Sequence, residues 1–267
     1  MSDLFNEEII SQATHTKWAG KTVHFAREID STNLWGKRAW KEGAKHGELF
    51  VAEYQSAGRG RFTRRWSAPP DSAITMSILI CPEFSPMKAP MMTLVMGLSV
   101  AQAVADLGLD VGIKWPNDVV VSRKKICGIL TEMTMKQDKI GCAVIGVGIN
   151  VNMDSFPEET ADKATSLYLE SGHVFDRAEV VGLVMKHFEE NYEKFVQTED
   201  LSELKADYEK LLANLNQPVR VLNQNDPYEG IARGINAGGE LLVERADGSI
   251  EEVNSGEVSV RGLYSYV

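Results

Sequence analysis

The sequence predicts an α+β protein with a mixed or antiparallel sheet, flanking helices and a small C-terminal β-barrel. Four candidate strands follow one another between residues 111 and 149 without an intervening helix, which favours a mixed or antiparallel sheet. The segments 177–197 and 200–213 are charged on one face and apolar on the other, as helices packed on a core are. Five short apolar runs follow Pro218 and are separated by turn residues, which is typical of a small barrel.

Apolar periodicity locates the elements of the first half of the chain. In order, they are a strand at 22–28, a helix after Ser31-Thr32, strands at 48–54 and 73–80, and a helix from Met87 to Leu107. Either Ser31 or Thr32 can cap the first helix, and Gly108 can end the second.

The second half begins with strands and ends with a segment of different character. The candidate strands are 111–115, 118–121, 126–134 and 140–149, with a turn at 122–125. The C-terminal runs are VRVL, YEGIARGI, ELLVER, SIEEV and VSVRGL, and the first turn between them is 223–226. This change predicts two domains, a large one of residues 1–215 and a small one of residues 216–267.

Composition limits the classes of partner and the location. A formal net charge of -10 argues against DNA or an anionic membrane as the main partner. The three cysteines contain no CxxC pair, which fits a reducing cytoplasm and provides no zinc framework. No secretory signal or long apolar span is visible, so we expect a cytoplasmic protein.

The segment Gly58–Trp66, called the arginine loop below, is the strongest candidate for a binding site. It contains four arginines and no acidic residue. Local positive charge on an acidic protein predicts a local anionic ligand. Arginine donors suit carboxylate and phosphate oxygens, glycines allow close approach of the backbone, and tryptophan offers a face for stacking. The alternative is a solvated surface loop.

Four other segments carry polar groups or glycines. Lys114–Asp118 leaves a strand sharply because proline restricts both itself and the residue before it; the alternative is an ordinary exposed turn. The segments 125–130 and 146–150 place glycines inside strands, which marks either a ligand lying close to the backbone or a bulge or tight packing. The segment Ser31-Thr32-Asn33 can bind a polar ligand, cap a helix, or do both.

No nucleophile or metal motif is visible. The GVGIN segment lacks the third glycine of a dinucleotide fingerprint, because Val151 occupies that position. There is no P-loop, GxSxG or HExxH sequence, and the five histidines show no metal spacing. Anion-binding groups without a nucleophile indicate catalysis by positioning and charge neutralisation.

Taken in order, the segments STN, EYQSAGRGRFTRRW, KWPNDV, KICGIL and GVGIN resemble those of biotin protein ligases, over roughly residues 20–265. The resemblance implies a class II synthetase-like catalytic domain over residues 1–215 and an SH3-like barrel over residues 216–267. It implies that biotin and ATP form biotinyl-5′-AMP with Mg²⁺. A lysine of a biotin carboxyl carrier domain, part of a biotin-dependent carboxylase, then accepts the biotinyl group.

The resemblance also implies roles for individual residues. The implied catalytic residues are Lys114, Arg59 and Arg61. The implied biotin-binding residues are Ser31, Thr32, Asn33, Gln55, Gly58, Arg59, Gly60, Arg61, Lys114, Gly128, Gly146 and Gly148. The implied ATP-binding residues are Arg64, Trp66, Asn117 and Asn150, with Asp118 as a Mg²⁺ ligand. We also expect an apolar wall for the valeryl chain of biotin, with Trp115 nearby.

Two departures and two alternatives qualify the resemblance. Phe62-Thr63 stands where many members have a basic residue and glycine, which bears on loop flexibility. About twenty residues precede the first predicted strand, too few for a winged helix-turn-helix, so the monofunctional class without DNA binding is expected. Related proteins often form homodimers, so a homodimer is a further expectation. The alternatives are lipoate or octanoyl transfer on a similar fold, and a non-enzymatic nucleic-acid binder.

Overall fold

A computed structural model of the chain describes residues 5–222, 227–255 and 259–262. The described residues form a seven-stranded sheet, a five-stranded sheet and six α-helices. The helices are α1 (Glu7–Ala13), α2 (Thr32–Glu42), α3 (Met91–Asp106), α4 (Leu167–Ser171), α5 (Arg177–Thr198) and α6 (Lys205–Leu211). The strands of the large sheet are β1 (Val23–Ile29), β2 (Leu49–Gln55), β3 (Ala73–Ile80), β4 (Val111–Lys114), β5 (Asp118–Val121), β6 (Lys124–Lys136) and β7 (Lys139–Asn150). Those of the small sheet are β8 (Pro218–Leu222), β9 (Tyr228–Ile235), β10 (Leu241–Glu244), β11 (Ile250–Val253) and β12 (Ser259–Gly262).

The large sheet has the strand order β1-β2-β3-β7-β6-β5-β4. The β1–β2 pair is parallel, and the other neighbouring pairs are antiparallel. Strands β4 to β7 follow one another along the chain and pair in sequence. The predicted fold class, α+β with a mixed sheet and flanking helices, is therefore confirmed.

Helices pack on both faces of the large sheet because its central strands are apolar on both sides. All eight residues of β3 are buried. Ile78 belongs to the main core with α3 and α5, whereas Leu79 belongs to a smaller cluster beneath α2. Complete burial of one such side chain contributes about 1.5–3 kcal/mol. The sheet is thus a firm base for the residues at the ends of its strands.

Helix α3 is strongly apolar because it lies inside the core. By length and composition, residues 86–106 pass for a membrane span, but 72% of the apolar window is buried in the protein. The helix packs against α5, β4 and β6. A helix surrounded by protein needs no polar face, so core burial accounts for its composition.

The two short helices α1 and α4 were not predicted from the sequence. The side chain of Asn6 accepts a hydrogen bond from the Ile9 N–H at the start of α1. The hydroxyl of Ser166 accepts one from the Leu169 N–H at the start of α4. Such short helices show no full apolar period, so their caps are the main local signal. The predicted helix 200–213 is also shorter, since α6 spans only Lys205–Leu211.

The small sheet has the strand order β11-β10-β9-β8-β12, and its pairs are antiparallel. Its strands coincide with the five runs predicted after Pro218, while the predicted turn 223–226 lies outside the described residues. The boundary predicted at 215–216 falls between α6 and β8. Division into two domains there, and closure of the sheet into an SH3-like barrel, remain predictions.

Candidate active site

The large sheet carries a cleft of about 950 Å³ on the face that α2 covers. Helix α2 begins at Thr32, and its amino end forms one wall. The arginine loop forms a second wall, and the turn after β4 forms a third. Strands β6 and β7 provide the floor, where they present glycines in place of side chains.

The floor glycines make room for two polar or aromatic side chains. Gly128 and Gly148 lie opposite each other on β6 and β7. A methyl group added to Gly148 would overlap the indole of Trp66, and one added to Gly146 would overlap the carboxamide of Asn33. Bare backbone therefore lets both side chains reach the sheet.

The amino end of α2 forms a hydrogen-bonded cluster, called the polar cluster below. The side-chain oxygen of Gln55 accepts hydrogen bonds from the Thr32 N–H and hydroxyl, at 2.8 and 3.1 Å. The hydroxyl oxygen of Ser77, on β3, lies 2.7 Å from both Thr32 Oγ1 and Asn33 Oδ1. Ser31 occupies the cap position without a side-chain capping bond. It lines the cleft, so the capping role that the sequence allowed is not used.

The arginine loop is a short hairpin. The Trp66 N–H donates to the Gly58 carbonyl at 3.1 Å, and the Gly60 N–H donates to the Arg64 carbonyl at 2.8 Å. Phe62 lies at the turn with a φ of 53°, in the left-handed region that favours glycine. These bonds give the loop a defined shape, while Arg59, Phe62, Arg64 and Arg65 are exposed, as in the solvated loop considered as the alternative.

Arg61 joins the arginine loop to two other parts of the chain. Its Nη1 donates to Asn117 Oδ1 at 2.8 Å, and its Nη2 donates to the carbonyl of Ser255, just after β11. Burial lowers the pKa of Arg61, while the negative charge of Asp118 acts to raise it. Arginine is not deprotonated in proteins, so the group carries its positive charge at neutral pH.

Arg59 contacts Glu132 on β6, a residue that the sequence patterns did not identify. Arg59 Nη1 and Lys37 Nζ lie 3.1 and 2.9 Å from Glu132 Oε1, and Asn33 Nδ2 donates to Oε2 at 2.9 Å. Burial acts to raise the pKa of Glu132. The hydrogen bonds from Asn33 and Lys37, with the charges of Lys37 and Arg59, outweigh burial and hold the pKa below its usual value.

The segment between β4 and β5 faces the cleft and also contacts the small sheet. Lys114, at the end of β4, lines the cleft and is only 6% exposed. Asn117 holds Arg61, so it orients the arginine loop in addition to facing the cleft. Trp115 also lines the cleft, but its indole N–H donates to the carbonyl of Gly239 at 3.0 Å. This bond joins Trp115 to the turn between β9 and β10 of the small sheet.

Lys125 lies in the predicted segment 125–130 and lines the cleft, although the sequence patterns assigned it no role of its own. Its Nζ contacts the carboxylate of Asp118 and lies beside Gly128. Regular alternation would put residues 125 and 128 on opposite faces of β6. The β5–β6 register slips by one residue at Ile126, and this bulge turns Lys125 toward the cleft.

The cleft is strongly positive. The described residues that line it include nine basic side chains and two acidic ones. The basic residues are Arg59, Arg61, Arg64, Arg65, Lys114, Arg123, Lys124, Lys125 and Lys163, and the acidic residues are Asp118 and Asp162. In a protein of net charge -10, this local excess marks the cleft as an anion site.

The cleft provides few ligands for Mg²⁺. Within residues 5–222, 227–255 and 259–262, no group of three His, Cys, Asp or Glu side chains could hold a metal ion. Asp118 faces the cleft and pairs with Lys125. Mg²⁺ is commonly held by one or two carboxylates together with phosphate oxygens. The donors therefore fit an ion that enters with a nucleotide better than a permanent metal site.

Two predicted site residues lie apart from the others. Gly58 is at the base of the hairpin, where a side chain would overlap the Trp66 carbonyl. Asn150 donates to the carbonyl of Thr165 at 3.0 Å and lies 3.5 Å from that of Lys125. It holds residues 163–165 against β6, and its predicted role in ATP binding stays a prediction. The remaining predicted site residues line the cleft.

Two family descriptions match separate parts of the chain. Residues 25–150 match the Biotin/lipoate A/B protein ligase family. Residues 215–261 match the Biotin protein ligase C terminal domain. The first match contains the strands that form the floor of the cleft, and the second contains most of the small sheet.

Individual relatives agree with these matches. The bifunctional ligase/repressor BirA of Bacillus spizizenii is 34% identical over 258 residues, which are 96% of this chain and 79% of the relative. The biotin--[acetyl-CoA-carboxylase] ligase of Mycobacterium tuberculosis is 32% identical over 219 residues, which are 79% of this chain and 78% of the relative. A biotin protein ligase from Aquifex aeolicus, solved in complex with biotin and ATP, matches with a TM-score of 0.79 and 34% identity, over 91% of this chain and 99% of that one.

Proposed function

Because the chain belongs to the biotin protein ligase family, we propose that it attaches biotin to a lysine of a biotin carboxyl carrier domain and consumes ATP. In the first step, a carboxylate oxygen of biotin attacks the α-phosphorus of ATP, and pyrophosphate leaves. In the second, the lysine amine attacks the acyl carbon of biotinyl-5′-AMP, AMP leaves, and the amine proton passes to solvent. Neither step needs a nucleophile from the protein.

The observation that carries this proposal is the meeting of cations from separate segments in one cleft. Arg61 and Arg64 come from the arginine loop, Lys114 comes from β4, and Lys125 comes from β6. A carboxylate and a triphosphate repel each other. Fixed positive charges lower the free energy of bringing them together and stabilise the charge that develops during transfer.

We place the ring head of biotin at the polar cluster and its chain along the glycine floor. Ser31, Thr32 and Gln55 offer hydroxyl and amide groups of the kind that a ureido ring can hydrogen-bond. Gly146 and Gly148 let Asn33 and Trp66 lie against the strand, so these two side chains cover the floor beside the polar cluster. The arginine loop then covers the chain and retains the adenylate.

We place the nucleotide near Arg64, Trp66 and Asn117. The indole nitrogen of Trp66 is buried without a hydrogen-bond partner among the described residues, so it can donate to a ligand oxygen, and the ring offers a face for stacking. Mg²⁺, when bound, would neutralise phosphate charge, with Asp118 as its protein ligand.

The central test is transfer of labelled biotin. Incubation with ATP, Mg²⁺ and a purified carrier domain should give one labelled lysine per carrier and biotin-dependent release of pyrophosphate. Labelled lipoate should give no transfer. Incorporation of lipoate without incorporation of biotin would contradict the substrate assignment.

The lipoate alternative deserves that control because the family matched by residues 25–150 includes lipoate ligases. The match of residues 215–261 is specific to biotin protein ligases and favours biotin. An octanoyl transferase would need no ATP, so dependence on ATP also separates these alternatives.

Location, assembly and DNA binding are separate proposals. We propose a cytoplasmic enzyme that acts without binding DNA and forms a homodimer. Sedimentation with and without biotin and ATP tests the dimer. Titration with duplex DNA at rising salt concentration tests the absence of DNA binding. Tight binding with a steep salt dependence would support the nucleic-acid hypothesis instead.

A further inference from the structure

Glu132 connects the arginine loop to the polar cluster. Its Oε1 pairs with Arg59 in the loop, and its Oε2 accepts from Asn33 at the start of α2. The side chain of Glu132 is 16% exposed, whereas that of Arg59 is 44% exposed. The strand residue is therefore the fixed partner, and the loop residue is the one that can move away.

The pair lies where the loop separates two spaces. Arg59 lines both the large cleft and a smaller cavity of about 380 Å³. Glu132 lines the smaller cavity, behind the loop. Contact between the two side chains therefore holds the first strand of the hairpin against β6, while Arg61 holds the turn through Asn117 and Ser255.

We propose that Glu132 is a positioning residue that holds the arginine loop closed through Arg59 and links this closure to ligand binding through Asn33. A ligand that orders Asn33 also orders the Glu132 carboxylate, because that carboxylate binds Asn33 through Oε2 and Arg59 through Oε1. Slower loss of the adenylate from the closed site is the kinetic consequence, and it rests on the proposed function. Closure of the loop itself does not. The two are therefore tested by separate measurements.

Limited trypsin digestion tests closure without any substrate. The loop contains cleavage sites at Arg59, Arg61, Arg64 and Arg65. Proteolysis follows the population of the open loop when opening is fast. Loss of an ion pair with one half-exposed partner should raise that population about three- to tenfold. We therefore expect Glu132→Gln to be cut within the loop about three- to tenfold faster than wild type, with the sites identified by mass spectrometry.

Two variants control this measurement. Lys37→Met removes the other cation on Glu132 Oε1 and leaves the Arg59 contact in place, so its cleavage rate should stay within about twofold of wild type. Glu229→Gln changes an exposed carboxylate that pairs with Arg220 in the small sheet, and should have no effect on the loop. Equal cleavage of Glu132→Gln and wild type would overturn the proposal.

Retention of the adenylate tests the kinetic consequence. After reaction with labelled biotin and ATP and removal of free ligand, Glu132→Gln should lose its adenylate about three- to tenfold faster, with the rate of pyrophosphate release nearly unchanged. In an Arg59→Met background the same substitution should have no further effect, because the pair is already absent. A full additional effect there would show that Glu132 acts by another route and would refute the role of Arg59.

Folding is checked first by thermal unfolding. If Glu132→Gln does not fold, Arg59→Met alone decides the question, since it leaves β6 unchanged and should give the same faster cleavage at the remaining loop arginines. If wild type forms no adenylate, the proposed function fails, while the digestion result still decides whether Glu132 holds the loop.

Discussion

The basic side chains of the cleft lie in different environments, so the substitution of each one should change a different step of the reaction. Lys114 is buried at the end of β4, Arg61 is held by Asn117, and Lys125 is paired with Asp118. Fixed partners hold the charges of Arg61 and Lys125 in place before substrate arrives, and burial restricts Lys114. Such preorganised charge is the main means by which a site of this kind can stabilise a transition state.

Lys114→Ala should nearly abolish adenylate formation. Lys114 lines the cleft and is only 6% exposed, and removal of one preorganised donor typically lowers kcat about 10²- to 10³-fold. Biotin-dependent pyrophosphate release measures the loss, and circular dichroism checks the fold. Full pyrophosphate release in this variant would show that Lys114 is not a catalytic residue.

Arg61→Gly should loosen the hold on the adenylate and allow indiscriminate labelling of lysines. The substitution removes the contacts with Asn117 and Ser255, so the hairpin no longer covers the reactive anhydride. Labelled biotin and a bystander protein without a carrier domain provide the assay, with Arg220→Gly as a control outside the cleft. Strict selectivity for the carrier would refute the covering role of the loop.

At the residue scale, motif residues were predictable and their supporting partners were not. The arginines and Lys114 stand out in the sequence because charge and glycine are concentrated there. Glu132 lies far along the chain from both Asn33 and Arg59, and no local pattern links them. Ser77 lies within an apolar run, where its contact with Thr32 and Asn33 becomes visible only once α2 is packed on β3.

At the element scale, the bare floor of β7 is the feature that gives the cleft its depth. Its glycines face α2 and the arginine loop, and their neighbours on β3 and β6 are in register with them. A side chain on this stretch would push out the groups that now lie on the backbone. The depth of the cleft therefore depends on the glycines of β7 as much as on the arginine loop and the turn after β4.

Gly148→Ala should raise the KM for ATP by about tenfold, because the added methyl group overlaps the Trp66 indole and overpacking typically costs ~1–3 kcal/mol. Gly97→Ala is the matched control. A Cβ at Gly97 in α3 would lie 3.7 Å from Ile129 Cδ1, an ordinary contact, so stability should be unchanged or higher. Equal ATP kinetics in both variants would show that Trp66 does not serve the nucleotide.

Most strands of the large sheet were predictable because alternation and apolar runs are strong signals there. A bulge within segment 125–130 was one of the predicted alternatives, but its position at Ile126 was not predictable, because it shows only in the pairing of β6 with β5. The hairpin in the arginine loop was also missed, because its bonds join backbone groups and need no particular side chains.

At the scale of the whole molecule, one carboxylate joins the N-terminal segment to the main core. Glu189 on α5 accepts hydrogen bonds from the N–H groups of Lys17, Trp18 and Ala19, at 2.7–3.0 Å. Burial acts to raise the pKa of Glu189, but these bonds outweigh it and keep the pKa below its usual value. The folded protein therefore holds this proton less tightly than the unfolded chain does.

The contribution of Glu189 to stability should be present above its ordinary pKa of about 4.3 and lost as the pH falls through the lower folded value. Urea unfolding at pH 7 and at about pH 3, well below the ordinary pKa, measures this change. Glu189→Gln should be less stable at pH 7 and should lose less stability on acidification. An identical pH dependence in wild type and variant would contradict the assignment.

The division into a large and a small sheet was predictable from the change in spacing near residue 216. The contacts between them were not, because they join side chains to backbone carbonyls. Trp115 donates to Gly239 and Arg61 donates to Ser255. A carbonyl acceptor has no signature in the sequence, so such contacts can be found only in three dimensions.

Arg61 donates to the backbone carbonyl of Ser255, just after β11, so this contact does not depend on the side chain at position 255. Almost any amino acid at position 255 can present the same oxygen, so exchanges there should be tolerated. A one-residue insertion or deletion after Val253 would instead displace that oxygen and uncouple the hairpin. Chimeras that keep the spacing between Val253 and residue 255 should therefore remain active despite dissimilar C-terminal sequences.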